Sequence, residues 1–162
     1  MNKGHELGMW LRKAYLSFHR RANARMLKHG VTADQFVLLS VLVREEGITQ
    51  VTIVERTASD PNTVAAILGL LERRGLVRRE AHAQDRRARC VFLTAEGRRV
   101  QRRGAKDAEP LLATLWKCMA GTERKDIERL LKRVHTTFSA ASDGNGQPGS
   151  RSAKRPNSRP SR

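Results

Sequence analysis

The chain has few of the residues on which several classes of protein depend. Of its 162 residues only two are cysteine, and aromatic side chains make up 4%. Two cysteines cannot build the disulfide framework of a small secreted protein, and neither Cys90 nor Cys118 belongs to a pair with metal-ligand spacing. We expect both thiols to be structural, because free cysteine is commonly buried as a small hydrophobe.

Long apolar runs and catalytic motifs are also missing. No apolar run approaches the roughly 18 residues that span a bilayer, and the N-terminus lacks a signal peptide's apolar core. The five histidines are scattered, and we identify no nucleophile elbow, phosphate-binding glycine loop or paired carboxylates. We therefore predict a cytoplasmic protein that is not an enzyme and that needs no metal ion or other cofactor.

Acidic residues are scarce relative to basic ones. The chain has 32 lysines and arginines against 16 aspartates and glutamates, a formal charge of +16. Such an excess favours a polyanionic partner, above all nucleic acid. Residues 140–162 are rich in Ser, Gly, Pro and basic residues without apolar periodicity, which predicts a disordered basic tail. The tail has five basic residues and one acidic residue, a net +4, so most of the charge lies on the folded part.

Residues 60–97 carry the most information. Asp60 is suited to cap a helix, Pro61 to its first position, and Gly75 to a left-handed turn after its end. Apolar side chains at helical spacing predict one buried stripe between them: Val64, Ile67, Leu68 and Leu71.

A hairpin follows this helix. Residues 76–80 and 89–93 have strand composition, the polar and basic segment 81–88 joins them, and Thr94 is placed to cap another helix. This order predicts a winged helix-turn-helix, mainly α with a small β-hairpin wing (α+β). Such a helix beside a basic hairpin tip is suited to DNA, with the helix in the major groove.

The remaining segments complete the predicted organisation. We expect a dimerisation helix in residues 1–30, a winged helix-turn-helix domain in 31–97, dimerisation helices in 98–139 and the tail in 140–162. Within them, a helix that starts with Thr32 or its neighbour and ends at Glu46-Gly47 would carry Phe36, Leu39 and Val43 on one side. Residues 98–109 would form a solvent-exposed arm, and Pro110 would bend or interrupt the helix.

Two motifs carry a family resemblance. The pattern Asp85-x-Arg87 followed by Leu93-Thr94-x-x-Gly97, together with the run Leu-Glu-Arg-Arg-Gly-Leu-Val at 71–77, resembles the MarR family of bacterial transcription regulators. The similarity extends more loosely from about Met9 to Phe138. It implies a two-fold dimer built by the terminal helices, with repression as the commoner mode. Many proteins of this family also bind a small effector between the dimer helices and the winged helix, and then lose affinity for DNA.

Several residues are candidates for contact with DNA. The helix that Asp60 caps is the predicted recognition helix. Its outward face would contact the bases through Asn62, Thr63, Ala65, Ala66 and Gly69, and Arg73 and Arg74 at its end would contact phosphates. In the wing, Arg87 would enter the minor groove, Asp85 would orient it, and Arg86 and Arg89 would serve phosphates. The family usually has more polar or basic side chains where Ala65 and Ala66 stand in this chain. Because alanine makes few base contacts, we expect more of the specificity to come from recognition of DNA shape. The alternatives are an ordinary amphipathic helix, solvated loop arginines and, for Arg73 and Arg74, interaction with the helix dipole.

Four aromatic residues are candidates to line an effector crevice, and membership of the core is the alternative for them: Trp10, Tyr15, Phe18 and Trp116.

These patterns predict a homodimeric, sequence-specific DNA-binding transcriptional regulator that binds a palindromic operator. The family resemblance implies that it acts as a repressor and is released by a small effector. Its partners would be double-stranded DNA, a second copy and the effector, with no membrane, and it would be cytoplasmic and associated with the nucleoid. The competing hypothesis is an architectural protein that coats nucleic acid through charge, with little sequence preference.

Overall fold

The computed structural model describes residues 2–81 and 89–142, with side chains to residue 139. The chain divides into two compact units, Met1–Leu115 and Trp116–Arg162. The elements in chain order are α1 (Lys3–Met26), α2 (Ala33–Arg44), β1 (Ile48–Thr49), α3 (Gln50–Thr57), α4 (Pro61–Arg73), β2 (Val77–Ala81), β3 (Arg89–Leu93), α5 (Ala95–Lys117) and α6 (Gly121–Ser142). The mainly helical fold with a small antiparallel sheet confirms the predicted fold class.

The turn between α1 and α2 is fixed by local signals in the sequence. A short 3-10 turn, Leu27–His29, follows α1, and Gly30 closes it with a left-handed φ of 74°. Thr32 and Gln35 then form a capping box at the start of α2, in which the Gln35 amide donates to Thr32 Oγ1 at 3.2 Å and the Thr32 amide to Gln35 Oε1 at 3.0 Å. Each side chain thus satisfies a backbone donor that the first helical turn leaves free.

The sheet has three strands in the order β1-β3-β2, all antiparallel. The hairpin pairs Val77 with Leu93 at one end and Ala81 with Arg89 at the other. This confirms the predicted hairpin, with the first strand shifted by one residue from 76–80. The third strand, β1, escaped prediction because its two residues are too short to show alternation.

The core of the first unit lies where α2, α3, α4 and the sheet meet. From α4, Val64, Leu68 and Leu71 are fully buried, as the predicted stripe required, and Ile67 packs against them. The predicted face of α2 was partly wrong, because Val43 is 44% exposed while Leu38 and Leu42 are buried. Helix α2 has apolar residues on several sides. The spacing of these residues alone therefore did not identify the side that the other helices cover.

The first half of α5 is not the fully exposed arm predicted for residues 98–109. Residues at helical spacing along it are buried: Gly97, Val100, Gly104 and, further on, Leu111. A Cβ added at Gly104 would lie 2.6 Å from Phe36 Cε2 and 3.1 Å from Met26 Sδ. The small residues therefore let α5 approach α1 and α2 closely. The sequence did not reveal this narrow packed face because most residues of the segment are arginine or other polar residues.

Pro110 does not end α5, which continues to Lys117. Of the two predicted effects of this proline, interruption of the helix is therefore wrong, and a bend stays a prediction. Proline lacks only one ladder donor, and the exposed position of Pro110 leaves water available to the carbonyl one turn earlier.

Candidate nucleic-acid interface

The N-terminal end of α4 is organised by its cap. Asp60 Oδ1 accepts hydrogen bonds from the amides of Asn62 at 2.9 Å and Thr63 at 3.0 Å. Pro61 occupies the first helical position, where a missing N–H costs nothing. Because the cap fixes the first turn, the side chains that follow it are held in defined directions at the protein surface.

The outward face of α4, which is predicted to contact the bases, is open to solvent. Asn62, Thr63 and Ala66 are exposed, whereas Ala65 and Gly69 are half-buried at its edge. The structure adds Leu70, one turn after Ala66, which is 41% exposed despite being apolar. The sequence prediction assigned Leu70 to neither the buried stripe nor the outward face.

The two arginines at the end of α4 have different surroundings. The Arg73 guanidinium lies over Gly69, where an added Cβ would be 3.5 Å from Arg73 Nη1. Arg74 Nη1 instead donates to the carbonyl oxygen of Gly30 at 2.5 Å. Arg73 therefore remains on the outward side of α4, whereas Arg74 connects α4 to the turn between α1 and α2.

The base of the wing is basic. Arg89 is exposed at the start of β3. On β2, the Arg78 guanidinium lies 4.7 Å from the ring centroid of its cross-strand neighbour Phe92 and forms an ion pair with Glu80. Sequence reasoning did not single out Arg78, although strand alternation places it on the same face as Glu80. The other predicted wing residues, Asp85, Arg86 and Arg87, lie outside the described residues.

The resemblance motif at the end of the hairpin has a structural reason. The Thr94 hydroxyl donates to the Gly75 carbonyl at 2.6 Å and accepts from the Gly97 amide at 3.0 Å. Gly75 has a left-handed φ of 66°, which glycine adopts without strain. A Cβ on Gly97 would collide with the Leu76 carbonyl oxygen. Together these residues join the end of α4, the start of the wing and the start of α5.

A separate cavity of about 240 Å³ lies between α1, α2 and α5 within the first unit. Two of the four aromatic candidates, Tyr15 and Phe18, line it, along with His19 and Asp34, which lie 3.1 Å apart between Nε2 and Oδ1. Trp10 is not among the lining residues and is 60% exposed. The remaining candidate, Trp116, belongs to the second unit.

The two cysteines have different surroundings. Cys90 is buried in β3, as a structural thiol would be, whereas Cys118 is exposed, so the expectation of burial was wrong for the second cysteine. Among residues 2–81 and 89–142 no three His, Cys, Asp or Glu side chains are grouped to hold a metal ion. Over the same residues no single helix is long and apolar enough to cross a membrane, although the bent pair Lys3–His29 and Ala33–Arg44 reaches that length and composition together.

Comparison with known proteins identifies the relatives of this chain. Residues 29–88 match the model of the MarR family. The transcriptional regulator HosA from Escherichia coli is 43% identical over 70 residues, which cover 43% of this chain and 52% of HosA. This chain thus spans about half the length of the curated HosA relatives that it matches.

Two solved structures are similar over most of the chain. The PcaV transcriptional regulator from Streptomyces coelicolor, solved with its natural ligand, has a TM-score of 0.71 and 29% identity, and the match covers 84% of this chain and 93% of PcaV. A mutant MarR from Escherichia coli, solved with operator DNA, has a TM-score of 0.74 and 25% identity, and the match covers 80% of this chain and 93% of that one. These relatives are regulators rather than enzymes.

Proposed function

We propose, since this chain belongs to the MarR family, that it is a sequence-specific DNA-binding transcriptional regulator, with repression as its mode. The observation that carries the proposal is the capped and exposed N-terminal end of α4 next to a basic hairpin. The mutant MarR solved with operator DNA supports it as a similar fold in complex with DNA. Such a role would place the protein at the nucleoid.

Helix α4 would enter the major groove with its first two turns. Asn62 carries an amide that can pair with an adenine edge, and Ala66 offers a methyl group to the methyl of thymine. Ala65 and Gly69 would let the helix approach the base edges, and Thr63 would bond to either a base or a phosphate. Leu70 extends this apolar part of the surface. With few polar side chains on the helix, part of the specificity would come from DNA shape.

The arginines would fix the helix on the duplex. From the sequence, Arg87 would enter the minor groove with Asp85 orienting it, while Arg86, Arg89 and Arg73 would bind phosphates. Arg74 would contribute least, because its guanidinium is already bonded to the Gly30 carbonyl.

The protein would act as a homodimer. The apolar side chains of α6 recur at helical spacing and are all exposed, from 38% for Val134 to 71% for Phe138. A stripe of this length is normally covered, and a second copy would cover it with two-fold symmetry. The two copies of α4 would then bind half-sites about 10 base pairs apart in a palindromic operator.

A small effector would bind in the cavity between α1, α2 and α5. Its walls are mostly apolar, with Tyr15, Phe18 and Phe36 among them, and His19 and Asp34 provide polar groups. PcaV, which was solved with its natural ligand, supports a ligand site in a protein of this fold. Release from DNA would follow if the ligand favoured a dimer geometry that cannot span both half-sites.

Competition binding with a duplex selected from a random pool tests the regulator role. The wild-type protein should prefer that duplex over a scrambled one by about 10³ or more. Asn62→Ala and Arg87→Ala should each weaken binding to the selected duplex by roughly 1–3 kcal/mol. The control Lys125→Ala, on exposed α6, should leave it unchanged. Equal affinity of the wild-type protein for both duplexes would instead favour the coating model.

A further inference from the structure

Helix α5 carries a row of basic side chains that are not part of the proposed DNA-binding surface of α4 and the wing. Between residues 98 and 106 there are four arginines, one lysine and no acidic residue. Four of these five side chains lie at helical spacing and line one shallow groove, and we call them the α5 basic stripe: Arg99, Arg102, Arg103 and Lys106. One carboxylate, that of Glu109, lines the same groove at its C-terminal end.

The packing of α5 fixes the direction of this stripe. Gly97, Val100, Gly104 and Leu111 form the buried face, and Phe36 packs so closely at Gly104 that an added Cβ would lie 2.6 Å from it. At 3.6 residues per turn, the stripe falls on the opposite side of the helix. Its members are accordingly exposed in this chain.

Most of the stripe has no acidic partner. Arg98 is paired with Glu46 at 2.5 Å, and Arg99 with Glu96 at 2.7 Å. No described side chain forms an ion pair or hydrogen bond with Arg102, Arg103 or Lys106. Like charges at i and i+4, as in Arg102 and Lys106, repel each other.

The exposed charges of α6 are arranged differently. There the signs alternate, with Arg129 paired to Asp126 at 2.9 Å and Lys132 to Glu128 at 2.6 Å. This is the usual pattern of a solvated helix face. Positive and negative charges are therefore paired on α6, whereas most positive charges of the α5 basic stripe are unpaired. This difference points to an anionic partner for the α5 basic stripe.

We propose that the α5 basic stripe binds the phosphate backbone of duplex DNA outside the bases that α4 reads. From Arg99 to Lys106 the stripe runs about 10 Å along the helix. One strand of B-DNA presents about three phosphates over that axial distance, one per roughly 3.4 Å. The three unpaired cations lie within about 6 Å along the helix, from Arg102 to Lys106, which is close to the roughly 6.8 Å that three successive phosphates of one strand span. The inference rests on the proposed function, since it requires a protein that binds DNA.

The test is the salt dependence of binding to a duplex of about 40 base pairs that carries the selected site with flanking DNA. The variant Arg102→Gln/Arg103→Gln/Lys106→Gln removes three charges but retains helix propensity. The control Lys125→Gln/Arg129→Gln/Arg133→Gln removes three charges from α6. Circular dichroism and thermal melting confirm that both variants fold.

Each phosphate contact contributes about 0.9 to the slope of log K against log salt concentration, so the α5 variant should lose up to about 2.7. The preference for the selected site over a scrambled one should stay constant, because phosphate contacts carry no sequence information. The α6 control should retain the wild-type slope. An unchanged slope in the α5 variant, or an equal loss in the control, would overturn the proposal. A wild-type protein without site preference would contradict the regulator role instead, whatever the slope.

Discussion

Among Gly→Ala replacements in the described helices, Gly97→Ala should destabilise the fold most. The new Cβ would collide with the carbonyl oxygen of Leu76 and lie 3.0 Å from its carbon. That oxygen also accepts the Thr94 amide at 3.1 Å. Because the obstructing atoms belong to the backbone between α4 and β2, no side-chain rotation relieves the contact.

The magnitude follows from two opposing effects. Overpacking a filled site costs about 1–3 kcal/mol, and a contact with backbone belongs to the upper part of that range. Alanine gains about 1 kcal/mol over glycine in helix propensity. The free energy of unfolding should therefore fall by about 2 kcal/mol, a large part of the roughly 5–15 kcal/mol that stabilises a typical protein.

Urea denaturation at a fixed protein concentration measures this change. Gly8→Ala is the matched control, because a Cβ at Gly8 has nothing within 4 Å and the position is also helical. The control should be as stable as the wild-type protein or up to about 1 kcal/mol more stable. If Gly97→Ala unfolded at the same urea concentration as Gly8→Ala, the account of the α4, wing and α5 junction would be refuted.

Three further predictions concern single contacts. Asp60→Ala removes the cap of α4 and should cost about 0.5–2 kcal/mol of unfolding free energy by urea titration; an unchanged midpoint would show that the cap is dispensable. Thr94→Val loses the 2.6 Å hydrogen bond to the Gly75 carbonyl and should cost about 1 kcal/mol of unfolding free energy. Hydrogen exchange should rise first at the junction between α4, the wing and α5, and unchanged exchange there would contradict the role of this bond. The side-chain hydrogen bond and charge of Lys132 lower the pKa of Glu128, so any stability from this pair is present above the unfolded pKa and lost as pH falls through the folded pKa. Lys132→Ala should raise that pKa in an NMR titration, and the same pKa in both proteins would contradict the assignment.

The parts of the fold with strong local chemistry could be predicted from sequence. Asp60, Pro61 and Gly75 mark the ends of α4 by mechanisms that act within a few residues, and both hairpin strands follow from alternation around a polar loop. Local signals sufficed wherever the determining contacts are close in sequence.

The misjudged parts depend on contacts between distant residues. The packed face of α5 is made by Gly97 and Gly104, whose role appears only when Leu76 and Phe36 are brought against them. Leu70, which the sequence prediction assigned to neither face, is likewise seen to be exposed only when the other side of α4 is filled.

The candidate site was predicted only in outline. Sequence patterns identified the outward face of α4, but not that Arg74 is held by Gly30 from a distant turn. The cavity could not be predicted because its walls come from three helices, and only two of the four proposed aromatic residues line it.

Selection of bound genomic fragments by the purified protein at about 150 mM salt, where nonspecific phosphate contacts are already weakened, tests the central claim most directly. A sequence-specific dimer should recover a small set of fragments that share an inverted repeat, with half-site centres about 10 base pairs apart. Recovery of fragments without a shared sequence would contradict the regulator role and indicate a protein that coats DNA through charge.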